Sequence, residues 1–298
     1  MTPDRWQAFL EFAESARPRI DDALRRFTPA GEGCPDQLSK AIAYALTSGG
    51  KRLRPLLVLM AADACGGQES SALPAACAVE MIHAYSLIHD DLPAMDDDDM
   101  RRGKPSCHKA FGEAMAILAG DALLTRAFEI LASETRPPEL AAECVTILAG
   151  AAGASGMVGG QVDDVFRQPS EDATQRLEYI HERKTGAMLS ASLKLGGIVA
   201  GGNSQQLDAL RNYGRRLGLA FQIVDDLLDV QGDENVVGKR LGKDSRDGKL
   251  TFPGLLGIEA SRRKAQELIV QACDALAPLR SRSHCLEALA HFVLERDR

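Results

Sequence analysis

Apolar side chains recur at i, i+3 and i+4 along nearly the whole chain, the spacing that gathers them on one face of an α-helix. The repeat runs through residues 4–27, 36–48, 55–65, 73–92, 109–132, 138–157, 171–183, 186–201 and 204–231, and further helical segments follow residue 250. No stretch alternates convincingly with period two. The breaks are short and rich in turn formers, as in TPAGEGCP (28–35), CGGQESS (65–71), TRPPE (135–139), RQPSED (167–172) and GGNSQQ (201–206), and none reads as an interdomain linker. The pattern predicts an all-α, single-domain chain over residues 1–298. One segment departs from it: QGDENVVGKRLGKDSRDGKLTFP, 231–253, is polar and rich in Gly, Lys and Asp, long enough for a functional loop, and is predicted to be a lid. Glycines 150, 153, 156 and 159 are predicted to form a small-residue stripe for close helix approach, not a dinucleotide fingerprint, since no strand precedes them.

Composition sharpens this picture. The 298 residues are 45% hydrophobic but only 5% aromatic, which suits closely packed helices better than an aromatic-rich β-sandwich. A net charge of −7, with no segment dense in Lys and Arg, excludes a nucleic-acid footprint. Seven dispersed cysteines, with no CxxC pair and no His at zinc spacing, read as thiols in a reducing compartment. The N-terminus MTPDRWQAFLEFAES carries early acids and no long apolar run, so it predicts an amphipathic helix rather than a signal or a membrane span. Together these point to a cytoplasmic protein without stable membrane association.

The chemistry concentrates in two aspartate clusters. In SLIHDDLPAMDDDDMRRGKPSC (86–107), Asp90, Asp91 and Asp96–Asp99 end an apolar helix; in LGLAFQIVDDLLDV (217–230), Asp225, Asp226 and Asp229 sit amid Leu, Ile and Val. Asp225 and Asp229, at i and i+4, share a face, and a carboxylate left unpaired there would cost several kcal/mol or take up a proton. A cation resolves both. An EF-hand read from Asp96 fails, with Arg101 where Gly and Cys107 where Glu is required. Oxygen-only donors favour Mg²⁺, which shares its coordination with substrate phosphates, over zinc. Asp90 and Asp96, six apart, would sit about 120° from each other on an ideal helix, so the turn holding Pro93 must deform if both face one metal.

Cations complement the aspartates. In SGGKRLRPLLVLM (48–60), Lys51, Arg52 and Arg54 precede or enter the first turn of a helix, where free N–H groups and positive charge bind anions. Arg101 and Arg102 form a second pair, and Lys184, Lys239, Lys243 and Lys249 are further anion ligands by this reading. GDENVVGKR is not a P-loop, having a different glycine spacing and Arg in place of Ser or Thr. His83 lies two helical turns before Asp90 and can share its face or sit as a satisfied core residue; His89 reads as structural.

Taken together, GGKRLRP, EMIHAYSLIHDDLPAMDDDDMRRGKP, FGEAMAILAGDALL, GGQVDD, ERKTGAML, FQIVDDLLD and GKRLGKD, in that order, resemble the trans-isoprenyl diphosphate synthases over nearly the whole chain, and most closely the bacterial members that make the C15 product. The resemblance implies a helical bundle around a deep central cavity, a homodimer, and stepwise head-to-tail coupling of isopentenyl diphosphate to dimethylallyl and geranyl diphosphate with three Mg²⁺. It implies Asp90, Asp96 and Asp225 as principal metal ligands, with Asp91, Asp226 and Asp229 in or near the shell. Arg101, Lys184 and Lys239 would meet the allylic diphosphate, while Lys51, Arg54, His83 and Arg102 would hold isopentenyl diphosphate. Thr185 and Gln222 would face the developing cation, and Tyr85 and Ser86 would set product length. Met100 departs from the common Leu, and FVLERDR is an inexact match at the C-terminus. The alternatives are a synthase of the C20 product, a class I cyclase, disfavoured by the second DDxxD, and a noncatalytic subunit, which should have lost an aspartate or the Arg pair.

Overall fold

The computed structural model describes residues 5–29, 33–166, 172–231 and 250–295. Helix α4 (Glu69–Asp90) occupies the centre: its buried residues run from Ala72 to Ile88 on every side, which is how a helix enclosed by other helices reads. Around it pack α3 (Leu53–Ala64), α6 (Glu113–Glu134), α10 (Ala187–Val199) and α1 (Gln7–Phe27). The long helix α11 (Ser204–Gln231) lies on α10 and is covered by α12 (Phe252–Leu256), α13 (Ile258–Ala275) and α14 (His284–Glu295). The remaining helices are α2 (Asp36–Thr47), α5 (Cys107–Phe111), α7 (Pro138–Ala152), α8 (Met157–Val165) and α9 (Ala173–His181). Among the described residues two stretches are long and apolar enough to cross a membrane, Glu69–Asp90 and Pro138–Val165, 67% and 33% buried within the fold.

Three departures from the periodicity matter for the site. The stretch 138–157, expected as one helix, breaks after Ala152, so the glycine stripe spans two elements rather than lining one face. The close approach to the segment around Lys184 is made on α8 by Gly159 of the stripe and by Gly160, where a Cβ would come within 2.1 Å of Arg183 Nη2 and 2.4 Å of the Lys184 backbone nitrogen, respectively. Helices α9 and α10, expected as separate, run together through a π turn, Glu182–Gly186, which holds Lys184 and Thr185. Such inserted turns re-aim side chains and concentrate at functional sites. Finally, the only strands among the described residues are the two-residue pair β1 (Met100–Arg101) and β2 (Lys104–Pro105), antiparallel with Met100 opposite Pro105.

One buried ion cluster fixes the entrance of α3. Arg52 Nε donates to Asp21 Oδ1 at 2.9 Å and its Nη1 to Glu80 Oε1 at 2.8 Å, while Nη2 reaches the Leu46 carbonyl at 2.6 Å. The side chains of Arg52 and Glu80 are 5% and 3% exposed. Arg52, grouped by sequence with the anion-binding cations, is therefore committed to joining α1, α4 and the end of α2. Glu80→Ala should strand its charge and destabilise the fold by about 3–5 kcal/mol; a denaturation midpoint unchanged from wild type would show the cluster to be inconsequential.

Candidate active site

The deformation required of the first aspartate cluster is achieved by stopping the helix. α4 ends at Asp90, and the chain folds back so that Asp96 N donates to Asp90 O at 2.8 Å. The two residues the helical wheel separates thus become neighbours. Burial, partly offset by Lys184 and reinforced by Asp96, raises the Asp90 carboxyl to about 6. Gln161 Nε2 donates to Asp90 Oδ1 at 2.8 Å, while the amide oxygen of Gln161 is buried without a partner. A carboxyl whose burial opposes ionisation, Asp90, with a second carboxylate and an orphaned acceptor beside it, fits a divalent cation and its bound water.

A pH dependence follows. With its pKa raised from 3.8 to about 6, Asp90 binds its proton more tightly in the folded chain than in the unfolded one. Its contribution to metal-free stability is present below the lower value and is lost as pH rises through the upper one. A divalent cation binds the carboxylate form and reverses the penalty. Melting temperatures with and without metal should diverge as pH rises through about 6; curves that stay parallel across that window would contradict this assignment.

The second cluster lies on α11. Asp225 is half-buried, and it acts on the guanidinium of Arg54, which places it toward the cationic wall described below. Asp226 and Asp229 are buried. Asp226 Oδ2 accepts from Phe252 N at 2.9 Å and lies 3.9 Å from His181 Nε2, so this carboxylate also anchors the start of α12. Gln222, three residues before Asp225 on the same helix, is half-buried, as is Thr185 in the π turn, which packs against both α8 and α11.

The cationic wall is divided by a tight turn. Arg102 (φ 53°) and Gly103 (φ 76°) occupy the two central positions between β1 and β2, both left-handed as a type I′ hairpin demands. The turn sends adjacent arginines to different partners: Arg101 Nε donates to Asp91 Oδ1 at 3.0 Å, while Arg102 Nη1 donates to the Gly49 carbonyl. Asp91, 2% exposed, is thereby occupied by Arg101. A cleft between α2, α4 and the hairpin is lined by His83, Arg52, Arg101 and Arg102 together with Tyr44, Ser48 and the carboxylates Glu80 and Asp91. Arg54 has a buried Nε without a partner. Burial, with Arg54, Arg102, Arg101 and Arg52 around it, holds His83 well below its usual pKa, so it stands as a neutral imidazole among guanidinium groups. That is a site for a polyanion.

Lys184 Nζ donates to Asp164 Oδ2 at 2.7 Å and also acts on Asp90. Lys51 is exposed at the start of this wall. Lys239, Lys243 and Lys249, with most of the expected lid, lie outside the described residues. Gln161 and Asp164 were not singled out as site residues by sequence reasoning, although GGQVDD was a recognised motif; two of its three polar side chains hold Asp90 and Lys184, and the third, Asp163, accepts from Arg176 and Arg183. Below the acidic cluster Tyr85 is 6% exposed, its ring edge-on to His89 with centroids 5.8 Å apart, and Ser86 Oγ donates to the His83 carbonyl at 2.9 Å.

Comparison with known proteins identifies the family. The polyprenyl synthetase family profile matches residues 35–280. The chain is 48% identical over 266 residues to geranylgeranyl pyrophosphate synthase 12 of Arabidopsis thaliana, covering 87% of this chain and 74% of that one. It is 47% identical over 257 residues to farnesyl diphosphate synthase of Geobacillus stearothermophilus, covering 85% and 86%. The apo crystal structure of an FPP/GFPP synthase from Zymomonas mobilis superposes with a TM-score of 0.86 at 39% identity, over 96% of this chain and 98% of that one.

Proposed function

The chain belongs to the polyprenyl synthetase family and is a prenyltransferase, and on that premise we propose that it makes the C15 product, (2E,6E)-farnesyl diphosphate, by Mg²⁺-dependent coupling of isopentenyl diphosphate to dimethylallyl and then geranyl diphosphate. The observation that carries the reading is the pairing of a half-buried acidic end of α4 with a cationic cleft on its flank, one place for each diphosphate. Asp90, Asp96 and Asp225 would hold Mg²⁺, with Asp91, Asp226 and Asp229 beside them; three ions are proposed. Bound Mg²⁺ would neutralise the diphosphate as it leaves the allylic carbon.

The side chains divide the remaining work. Lys51, Arg54, His83 and Arg102 hold isopentenyl diphosphate and aim its double bond. Arg101, Lys184 and Lys239 hold the allylic diphosphate, and Thr185 and Gln222 face the cation that forms when its C–O bond breaks. The alkene attacks that cation, and the departed diphosphate removes the proton, so the chain needs no general base of its own. Tyr85 closes the cavity beneath the product. Exposed Ile117 and Leu118 on α6, 44% and 55% accessible, support a homodimer, and the acidic composition supports a cytoplasmic enzyme.

Incubating the purified protein with Mg²⁺, labelled isopentenyl diphosphate and each allylic starter, then sizing the products, tests the reading. Mostly C15 is expected. Mostly C20 would favour the geranylgeranyl product named for several relatives, and no condensation with any starter would favour a noncatalytic subunit. Because the type I′ turn separates the arginines, Arg102→Ala should mainly raise KM for isopentenyl diphosphate, and Arg101→Ala that for the allylic partner. Each loses a charged contact of roughly 1.5–3 kcal/mol, tenfold to a hundredfold in affinity. Equal effects on both substrates would collapse the division.

A further inference from the structure

We propose that Asp97, Asp99 and His108 form a second divalent-cation site, separate from the aspartates assigned to Mg²⁺ and suited to a borderline transition metal such as Zn²⁺, Mn²⁺ or Co²⁺. One carboxylate oxygen each from Asp97 and Asp99 and one imidazole nitrogen of His108 lie within 4.8 Å of one another. An acidic cluster at a surface turn means little by itself. The histidine is the second, independent observation: it is 6% exposed, and its Nε2 is buried with no hydrogen-bond partner. Nδ1 lies 3.0 Å from Ser106 Oγ. We assign Nε2 as the ligating nitrogen: with a donor hydrogen on Nδ1 given to that hydroxyl, the Nε2 lone pair is open to a metal, the arrangement by which an outer partner fixes the tautomer of a ligating histidine.

The donor set argues for the metal class. Two carboxylates and an imidazole make a poor home for Mg²⁺, which takes oxygen, and a good one for Zn²⁺ or its first-row neighbours. Lys109 Nζ holds Asp99 Oδ1 at 2.8 Å, which leaves Oδ2 for a cation and offsets part of the local negative charge. Asp97 and Asp99 are exposed, so an ion can enter from solvent and keep water in its remaining positions.

The position gives the site a consequence. Asp99 directly precedes β1 and His108 follows β2, so the two ligands bracket the hairpin that presents Arg101 and Arg102. A single backbone bond already ties its base, Ser106 N to Asp99 O at 2.9 Å. A cation shared by Asp97, Asp99 and His108 adds to this bond and to the Lys109–Asp99 ion pair, and stiffens the presentation of both arginines without touching either substrate.

The test is a titration of the purified full-length chain with Co²⁺ in a large excess of Mg²⁺, followed by visible absorption and by bound metal per chain after gel filtration. One Co²⁺ per chain is expected to persist, with affinity reduced at least tenfold in Asp97→Asn/Asp99→Asn, whose changes touch only exposed side chains. Asp90→Asn should leave this binding intact. His108→Gln should abolish it; because that residue is buried, the double aspartate variant carries the test if the histidine variant fails to fold. Co²⁺ that Mg²⁺ displaces completely, Co²⁺ binding indifferent to Asp97 and Asp99, or binding lost in Asp90→Asn would each overturn the proposal.

Discussion

Asp90→Asn and Asp225→Ala are each expected to lower turnover by about a thousandfold, because metal-assisted stabilisation of a leaving phosphate is worth several kcal/mol and each 1.36 kcal/mol is a factor of ten in rate. The fold should survive. Asp90 sits where burial already opposes its ionisation, with a carboxyl raised to about 6, so exchanging it for the neutral amide removes a cost to the metal-free chain. Gln161 keeps an acceptor for the amide hydrogen it now gives to Asp90 Oδ1. The informative comparison is the metal-free melting temperature against turnover: the first unchanged or higher, the second collapsed. Asp225 acts on Arg54 from the other helix, so its loss should weaken metal and isopentenyl diphosphate use together. Near-normal turnover of Asp225→Ala at limiting Mg²⁺ would mean that the two clusters do not share one metal assembly.

How much of this site was legible in the sequence depends on the range of the interactions that build it. The helix ending in Asp90 and the apolar helix bearing Asp225 were readable, because 3.6-residue periodicity and an embedded carboxylate are local facts. Arg52 was not. Nothing beside it in sequence says that Asp21 and Glu80, from two other helices, will take its guanidinium. Asp91 and Asp226 carry the same lesson: by type and spacing they match their neighbours, yet one is occupied by Arg101 and the other accepts from the backbone at Phe252. The hairpin escaped notice because strands of two residues have no period to detect, although Arg-Gly at its tip is a legible place for left-handed backbone. The glycine stripe misled for the opposite reason. Regular spacing suggested one helix face, whereas the chain turns between Ala152 and Met157, and of the four only Gly159, with Gly160 beside it, meets the segment around Lys184.

Tyr85→Ala is expected to convert a C15 producer into one that makes C20, the largest change of product any single substitution here should cause. If the allylic diphosphate is anchored at Asp90, its tail runs down α4 toward earlier residues, and four to five positions correspond to roughly 6–7.5 Å at 1.5 Å per residue. Ser86 shares the face of Asp90 but is small, and its hydroxyl is tied to the His83 carbonyl. Tyr85 has a ring long enough to close the space and a neighbour that keeps it in place. The His89 ring meets it edge-on at 5.8 Å, and His89 Nε2 lies 3.2 Å from the Ile117 carbonyl on α6. Gly120 makes room for that imidazole, since a Cβ there would fall 2.2 Å from Nε2. A floor braced against a second helix resists the growing chain better than a ring free to swing aside. Removing the ring opens room for another five-carbon unit, whereas Tyr85→Phe keeps the ring, loses only the hydroxyl, and should still stop at C15. Sizing the products of both variants separates the possibilities: an unchanged C15 distribution from folded, active Tyr85→Ala would remove Tyr85 as the floor, and a C20 product from Tyr85→Phe would show that the hydroxyl, not the ring, limits the chain.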